Sequence, residues 1–182
     1  MSEFPFQEGG LIHEAYKWAV MAHEGQFRKG VHEPFVQHPL RVAVLVFPHV
    51  SAAGVAAALL HDVLEDTDHG IEQFPLRVEQ LVDLLTVKDY ENKSRMVDRI
   101  CASRDREGLL IKLADRIDNL SDGVKTFDSE WVQRYVKNTV RLLKGTFEDC
   151  HEHELWNHLL SVVVSVDPKA ARTLRIASLE EK

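Results

Sequence analysis

Apolar residues recur along this chain with the three-and-four spacing of a helix, not the alternation of a strand. Leu11, Ala15, Ala19 and Ala22, widened by Ile12, Tyr16 and Val20, predict a helix ending near Gly25. His38-Pro39 opens the next, since proline suits the first helical turn, and Val42, Leu45 and Val46 carry it to Pro48. Ser51 is placed to cap a central helix over 52–66. Pro75 opens another, striped by Val78, Leu81, Val82 and Leu85; 86–94 reads as a charged loop and 95–104 as a short amphipathic helix. From Gly108 to about Thr126, Leu110, Leu113, Ile117, Leu120 and Val124 define one face. Lys112, Asp115, Asn119 and Asp122 form a polar stripe at the same spacing. Helices over 131–147 and 155–166 follow. The Val162-Val163-Val164 run allows a strand, but its flanks keep helical spacing. After Pro168 a last short helix is expected. The expected fold is all-α, one domain over 1–182, a bundle of about eight to ten helices.

The stretch Ala58-Leu59-Leu60-His61-Asp62-Val63-Leu64-Glu65-Asp66 departs from that apolar background. On a continuous helix, residues three and four apart share a face. His61, Asp62, Glu65 and Asp66 are therefore expected on one side, with Leu59, Leu60, Val63 and Leu64 on the other. Carboxylates so close repel unless protons or a cation neutralise them. An adjacent imidazole points to a borderline divalent ion such as Mn²⁺, Fe²⁺ or Zn²⁺; a capped, solvated helix end is the alternative. Two adjacent ligands do not complete a site. His38 and Asp115, on the flanking helices, are the candidates for the rest. Each also has a plain reading, His38 as a capping residue and Asp115 as the ion-pair partner of Lys112 or Arg116.

Composition narrows the classes. A net charge of −7 over 182 residues argues against a general nucleic-acid binder. No basic-then-apolar leader opens the chain, and no apolar run approaches ~20 residues, so neither secretion nor a membrane span is expected. Cys101 and Cys150 have no metal-like spacing and read as free thiols of a cytoplasmic protein. His151 and His153 alternate with Glu152 and Glu154 as a solvated face; Trp18 and Trp156 read as core, and His23 as core or surface.

In their order, His38-Pro39, His61-Asp62-Val63-Leu64-Glu65-Asp66 and Lys112-Leu113-Ala114-Asp115-Arg116-Ile117-Asp118-Asn119-Leu120 resemble the HD-superfamily hydrolase domain of the RelA/SpoT type. At this length the chain is similar to the free-standing small alarmone hydrolases, the metazoan SpoT-homologue group. Ala22-His23-Glu24-Gly25-Gln26-Phe27-Arg28-Lys29-Gly30 resembles that family's segment before its first metal ligand. The resemblance runs from about 11 to 147, leaving 167–182 as a C-terminal extension. It implies an HD bundle around a metal site, with ligands His38, His61, Asp62 and Asp115 and Mn²⁺ as the ion. It implies that Glu65 and Asp66 handle the attacking water, that Arg28 and Lys29 grip nucleobase and phosphates, and that Asn119 and Tyr135 bind substrate.

The implied reaction removes the 3′-pyrophosphate of (p)ppGpp to give GDP or GTP. Another phosphorylated nucleotide (ppApp, an NADPH 2′-phosphate or a deoxynucleotide) and a degenerate nucleotide-binding module are the alternatives. The expected partner is a small nucleotide, with no nucleic acid and no membrane; a homodimer is left open. Four positions depart from the family pattern. His32 and Phe35 replace its Gly and Tyr, Asp122 its common Thr, and Trp131 an Arg one turn before Tyr135.

Overall fold

The computed structural model describes residues 6–30, 32–170 and 174. Among these residues there are ten helices, and the only strand-like feature is an isolated antiparallel bridge between Phe27 and Pro34. The fold is all-α. The chain divides into two compact units, Met1–Thr86 and Val87–Lys182.

In the first unit, α1 (Gly10–Ala22), α2 (Gln37–Val46) and α5 (Leu76–Leu85) pack around α3 (Ala52–Leu60). Ser51 Oγ accepts from Gly54 N at 3.2 Å, capping α3 as its sequence predicts. From Gly54 to Leu60 every residue of α3 is buried, and a helix apolar all round belongs inside a core. Its five alanines and one glycine let the neighbouring backbones come close.

The expected 52–66 helix is broken. α3 stops at Leu60, and α4 is a separate turn of helix, Val63–Asp66. His61 turns its ring back so that Nδ1 bonds Ala58 O at 2.8 Å. Asp62, at φ −98° and ψ −6°, starts the new turn, its carbonyl accepting from Glu65 N and Asp66 N. The break also removes the shared face. His61 and Val63 are buried, whereas Leu64, Glu65 and Asp66 are exposed, so Leu64 does not join the apolar side.

In the second unit, α7 (Arg106–Thr126) packs against α8 (Ser129–Gly145) and α10 (Glu154–Val166), and α6 (Lys93–Ser103) packs on α8. Asp105 and Asp128 cap α7 and α8 by accepting from Gly108 N and Trp131 N. Arg141 binds Asp98 in a fork, at 2.5 and 2.6 Å, tying α8 to α6. The predicted 131–147 helix ends at Gly145, and Phe147–Cys150 forms the short α9. Val162–Val164 lie within α10, as helical spacing required. Trp156 is buried and donates Nε1–H to Leu143 O at 3.1 Å. Residues 168–170 are helical; most of the expected last helix lies outside the described residues.

Candidate metal centre and active site

His38 is the second residue of α2, buried beside Phe35. His61 follows α3, and the α3–α4 break directs Asp62 between the two rings. Asp62 Oδ2 lies 3.4 Å from His38 Nε2, and Oδ1 lies 3.3 Å from His61 Nε2. One donor atom from each of the three lies within 4.8 Å of the others.

The chemistry of this donor set fits a divalent cation. The Nδ1 of His61 faces the Ala58 carbonyl, an acceptor, so that nitrogen carries the ring proton. Its Nε2 then presents a lone pair toward a carboxylate oxygen. Lone pairs converging at such distances need a cation or a proton between them. Backbone fixing of the distal nitrogen is also how ligand histidines are oriented for a metal. Two imidazoles and a carboxylate suit a borderline divalent ion.

Glu65 and Asp66 sit one turn beyond, on α4, and border an open polar depression of about 430 Å³ shared with Gln26, Thr67, Asp68 and His69. Sequence reasoning passed over Gln26. Its Nε2 donates to the carbonyl of Asp66 at 2.9 Å, reaching the acidic turn from 40 residues away. The turn-forming Gly25, at φ +73°, is the sequence signal beside it.

Arg28 and Lys29 lie on a hairpin-like loop. Arg28 N bonds Glu33 O and Phe35 N bonds Gln26 O, each at 2.9 Å. Gly30 turns the loop at φ +80°. Glu33 is held by Arg41 at 2.9 Å through both its oxygens. The ring of His32 stacks on Phe27, with centroids 4.8 Å apart. Lys29 is exposed and Arg28 half-buried.

In the second unit, α7 buries Lys112 and Asp115 of its polar stripe, together with Arg116. Lys112 Nζ lies 2.8 Å from Asp115 Oδ2, and Asn119 Nδ2 donates to Asp115 Oδ1. The ion pair foreseen as a plain reading of Asp115 is therefore formed, and Asn119 orients that same carboxylate. Arg116 stands 4.4 Å above the ring of Tyr135. Tyr135 stacks on Trp131, and Trp131 on Phe127.

A family model described as "HD domain" matches residues 15–143. The chain belongs to the HD-domain family. That span includes the His61-Asp62 pair with the flanking His38 and Asp115, and the family accounts for a divalent-metal donor set at this place. Among relatives of this HD domain, a Haemophilus influenzae guanosine-3′,5′-bis(diphosphate) 3′-pyrophosphohydrolase is 39% identical over 115 residues. That match covers 54% of this chain and 16% of the relative, so the chain spans about a sixth of its length. A Xenopus tropicalis protein of the same description, MESH1, is 31% identical over 156 residues, covering 76% of this chain and 86% of the relative. A solved structure described as a metazoan orthologue of SpoT that hydrolyses ppGpp superposes with a TM-score of 0.75 at 26% identity. The superposition covers 86% of this chain and 96% of that one.

No helix among the described residues is long and apolar enough to cross a membrane.

Proposed function

We propose that this HD domain is a Mn²⁺-dependent (p)ppGpp 3′-pyrophosphohydrolase, releasing pyrophosphate and GDP or GTP. The observation that carries the reading is the convergence of His38, His61 and Asp62, in a chain aligned to 86% of a relative of that description. Asp115 is assigned as the fourth ligand on the family resemblance and its donor chemistry. A divalent ion held there supplies Lewis-acid polarisation of a phosphoryl oxygen and acidifies water.

The chain's own residues do the rest. Glu65 or Asp66 accepts the proton of the attacking water as its oxygen bonds to phosphorus. The bond from phosphorus to the ribose 3′ oxygen breaks, and that oxygen takes up a proton. The substrate is strongly anionic and the protein carries −7, so cations must be concentrated locally. Arg28 and Lys29 serve base and phosphates, with Lys112 and Arg116 as further positive charge. Asn119 and Tyr135 are assigned to substrate binding.

The test is turnover of metal-stripped protein resupplied with Mn²⁺, Mg²⁺ or Zn²⁺, on a panel of 3′- and 2′-phosphorylated nucleotides, read by product masses. Pyrophosphate and GDP from ppGpp, fastest with Mn²⁺, are expected. Brisk cleavage of ppApp or NADPH with none of ppGpp would reject the guanosine assignment. Trp131 and Asp122, which replace residues usual in the family, make that second outcome worth including.

A further inference from the structure

α4 carries both proposed proton-handling carboxylates, yet it is four residues long and has no side-chain cap at its start. A single helical turn does not hold itself together in water, and the last carbonyls of any helix lack partners within it. Its geometry must be imposed from outside. Gln26 meets that need where its Nε2 donates to Asp66 O at 2.9 Å.

The orientation of the Gln26 amide is in turn determined. Turned over, its oxygen would face the Asp66 carbonyl, acceptor against acceptor. With Nε2 committed to Asp66, Oε1 is left as an acceptor, and it meets His23 Nδ1 at 2.9 Å. His23 Nδ1 must therefore carry the proton. The ring of His23 is almost fully buried against Phe35, with centroids 4.6 Å apart. Its other nitrogen, Nε2, is buried without a hydrogen-bond partner among the described residues. Leaving a buried polar atom unsatisfied costs about 1–3 kcal/mol. An apolar side chain of similar volume would avoid that cost but would lose the Nδ1–H.

We infer that His23 is a positioning residue for the reaction: through Gln26 it fixes the Asp66 carbonyl, and with it the direction in which Glu65 and Asp66 leave α4. This role rests on the proposed use of those carboxylates in hydrolysis. His23 touches neither substrate nor metal ligands in this scheme. A small misplacement of catalytic groups is enough to lower a rate by up to about 10²-fold.

The test compares His23→Asn, whose amide nitrogen takes the place of Nδ1–H, with His23→Leu, which has no donor. Two readouts are taken: kcat, KM and metal stoichiometry on the nucleotide found active, and amide hydrogen exchange at Glu65, Asp66 and Thr67. Those three amides bond to Asp62 O, Asp62 O and Val63 O. His23→Leu is expected to lose about tenfold or more in kcat with KM and metal content kept, and to exchange faster at the three amides. His23→Asn should stay near the parent in both readouts. Gln26→Leu should reproduce His23→Leu, and it serves as the donor-less variant should His23→Leu fail to fold. Unchanged kcat and exchange in the donor-less variants, or His23→Asn falling as far as His23→Leu, would overturn the inference. Should the parent cleave no guanosine alarmone, the proposed function fails while the exchange comparison still decides the role of His23.

Discussion

Lys112 Nζ and Asp115 Oδ2 lie 2.8 Å apart within the buried part of α7, their side chains 9% and 6% exposed. Breaking a buried pair by removing one partner strands the other charge and costs about 3–5 kcal/mol. Lys112→Met should lose stability on that scale at neutral pH, by urea unfolding of metal-free protein. If Asp115 is the proposed fourth ligand, added Mn²⁺ should then raise the Tm of this variant more than that of the parent, the bound cation taking the place of the lost ammonium. Equal shifts in both would remove Asp115 from the ligand set.

Ligands and proton-handling residues should separate by metal content. His61→Ala is expected to lose its metal while circular dichroism stays helical. Glu65→Gln and Asp66→Asn should keep the ion and lose roughly 10²-fold in kcat, the usual scale for a positioned acid or base. A carboxamide variant arriving without metal would move that residue among the ligands.

The acid end of the stability profile should depend on Glu91. The Arg99 guanidinium, bonding at 2.5 and 3.1 Å, holds its carboxyl below the usual range; burial opposes this and Lys88 N–H adds to it. A pKa depressed by folding adds stability that is present above the unfolded value, near 4.3, and is lost as pH falls through the folded value. Glu91→Gln should cost about 1–2 kcal/mol at pH 7, and the gap to the parent should close toward pH 3. A constant gap from pH 7 to pH 3 would show that the charge of Glu91 contributes nothing.

Gly123→Ala reverses an ordinary helix rule. Alanine is normally better than glycine inside a helix by about 1 kcal/mol. Here a Cβ would stand 2.5 and 2.7 Å from ring atoms of Trp131, and that ring is held between Phe127 and Tyr135. The variant should be destabilised by about 1–3 kcal/mol through overpacking. Trp131→Leu in the same chain should restore most of that loss, measured as a double-mutant cycle. Independent, additive effects would deny the contact.

Thiol reagents should distinguish the folded chain sharply from the unfolded one. Burial, helped by the charge of Asp98, pushes the Cys101 thiol up to about 11, and burial raises Cys150 as well. Since the thiolate is the nucleophile, both should react slowly at pH 8 until denaturant is added. Fast labelling of native protein would contradict this.

The helices, the Ser51 cap and the donor types were legible in the residues themselves, because periodicity and local side-chain chemistry act over three or four positions. The placing of the Val162–Val164 run in a helix and of Trp156 in the core followed from the same local rules. What spacing alone misjudged is the region where the chain leaves those rules. A continuous 52–66 helix was the regular solution. The His61 ring instead takes the Ala58 carbonyl, and the chain restarts at Asp62, which parts the buried His61 from the exposed Glu65 and Asp66. Leu64 followed its helix-wheel position on paper and faces solvent in the fold. The reach of Gln26 to Asp66, and the fit of Trp131 over Gly123, join positions too distant for any local pattern to register. Sequence by itself determined which residues could form helices and which offered imidazole and carboxylate side chains for a metal or a proton. Tertiary structure decided where the central helix breaks, which carboxylates stay in water and what holds them, because these depend on hydrogen bonds and packing between segments far apart in the chain.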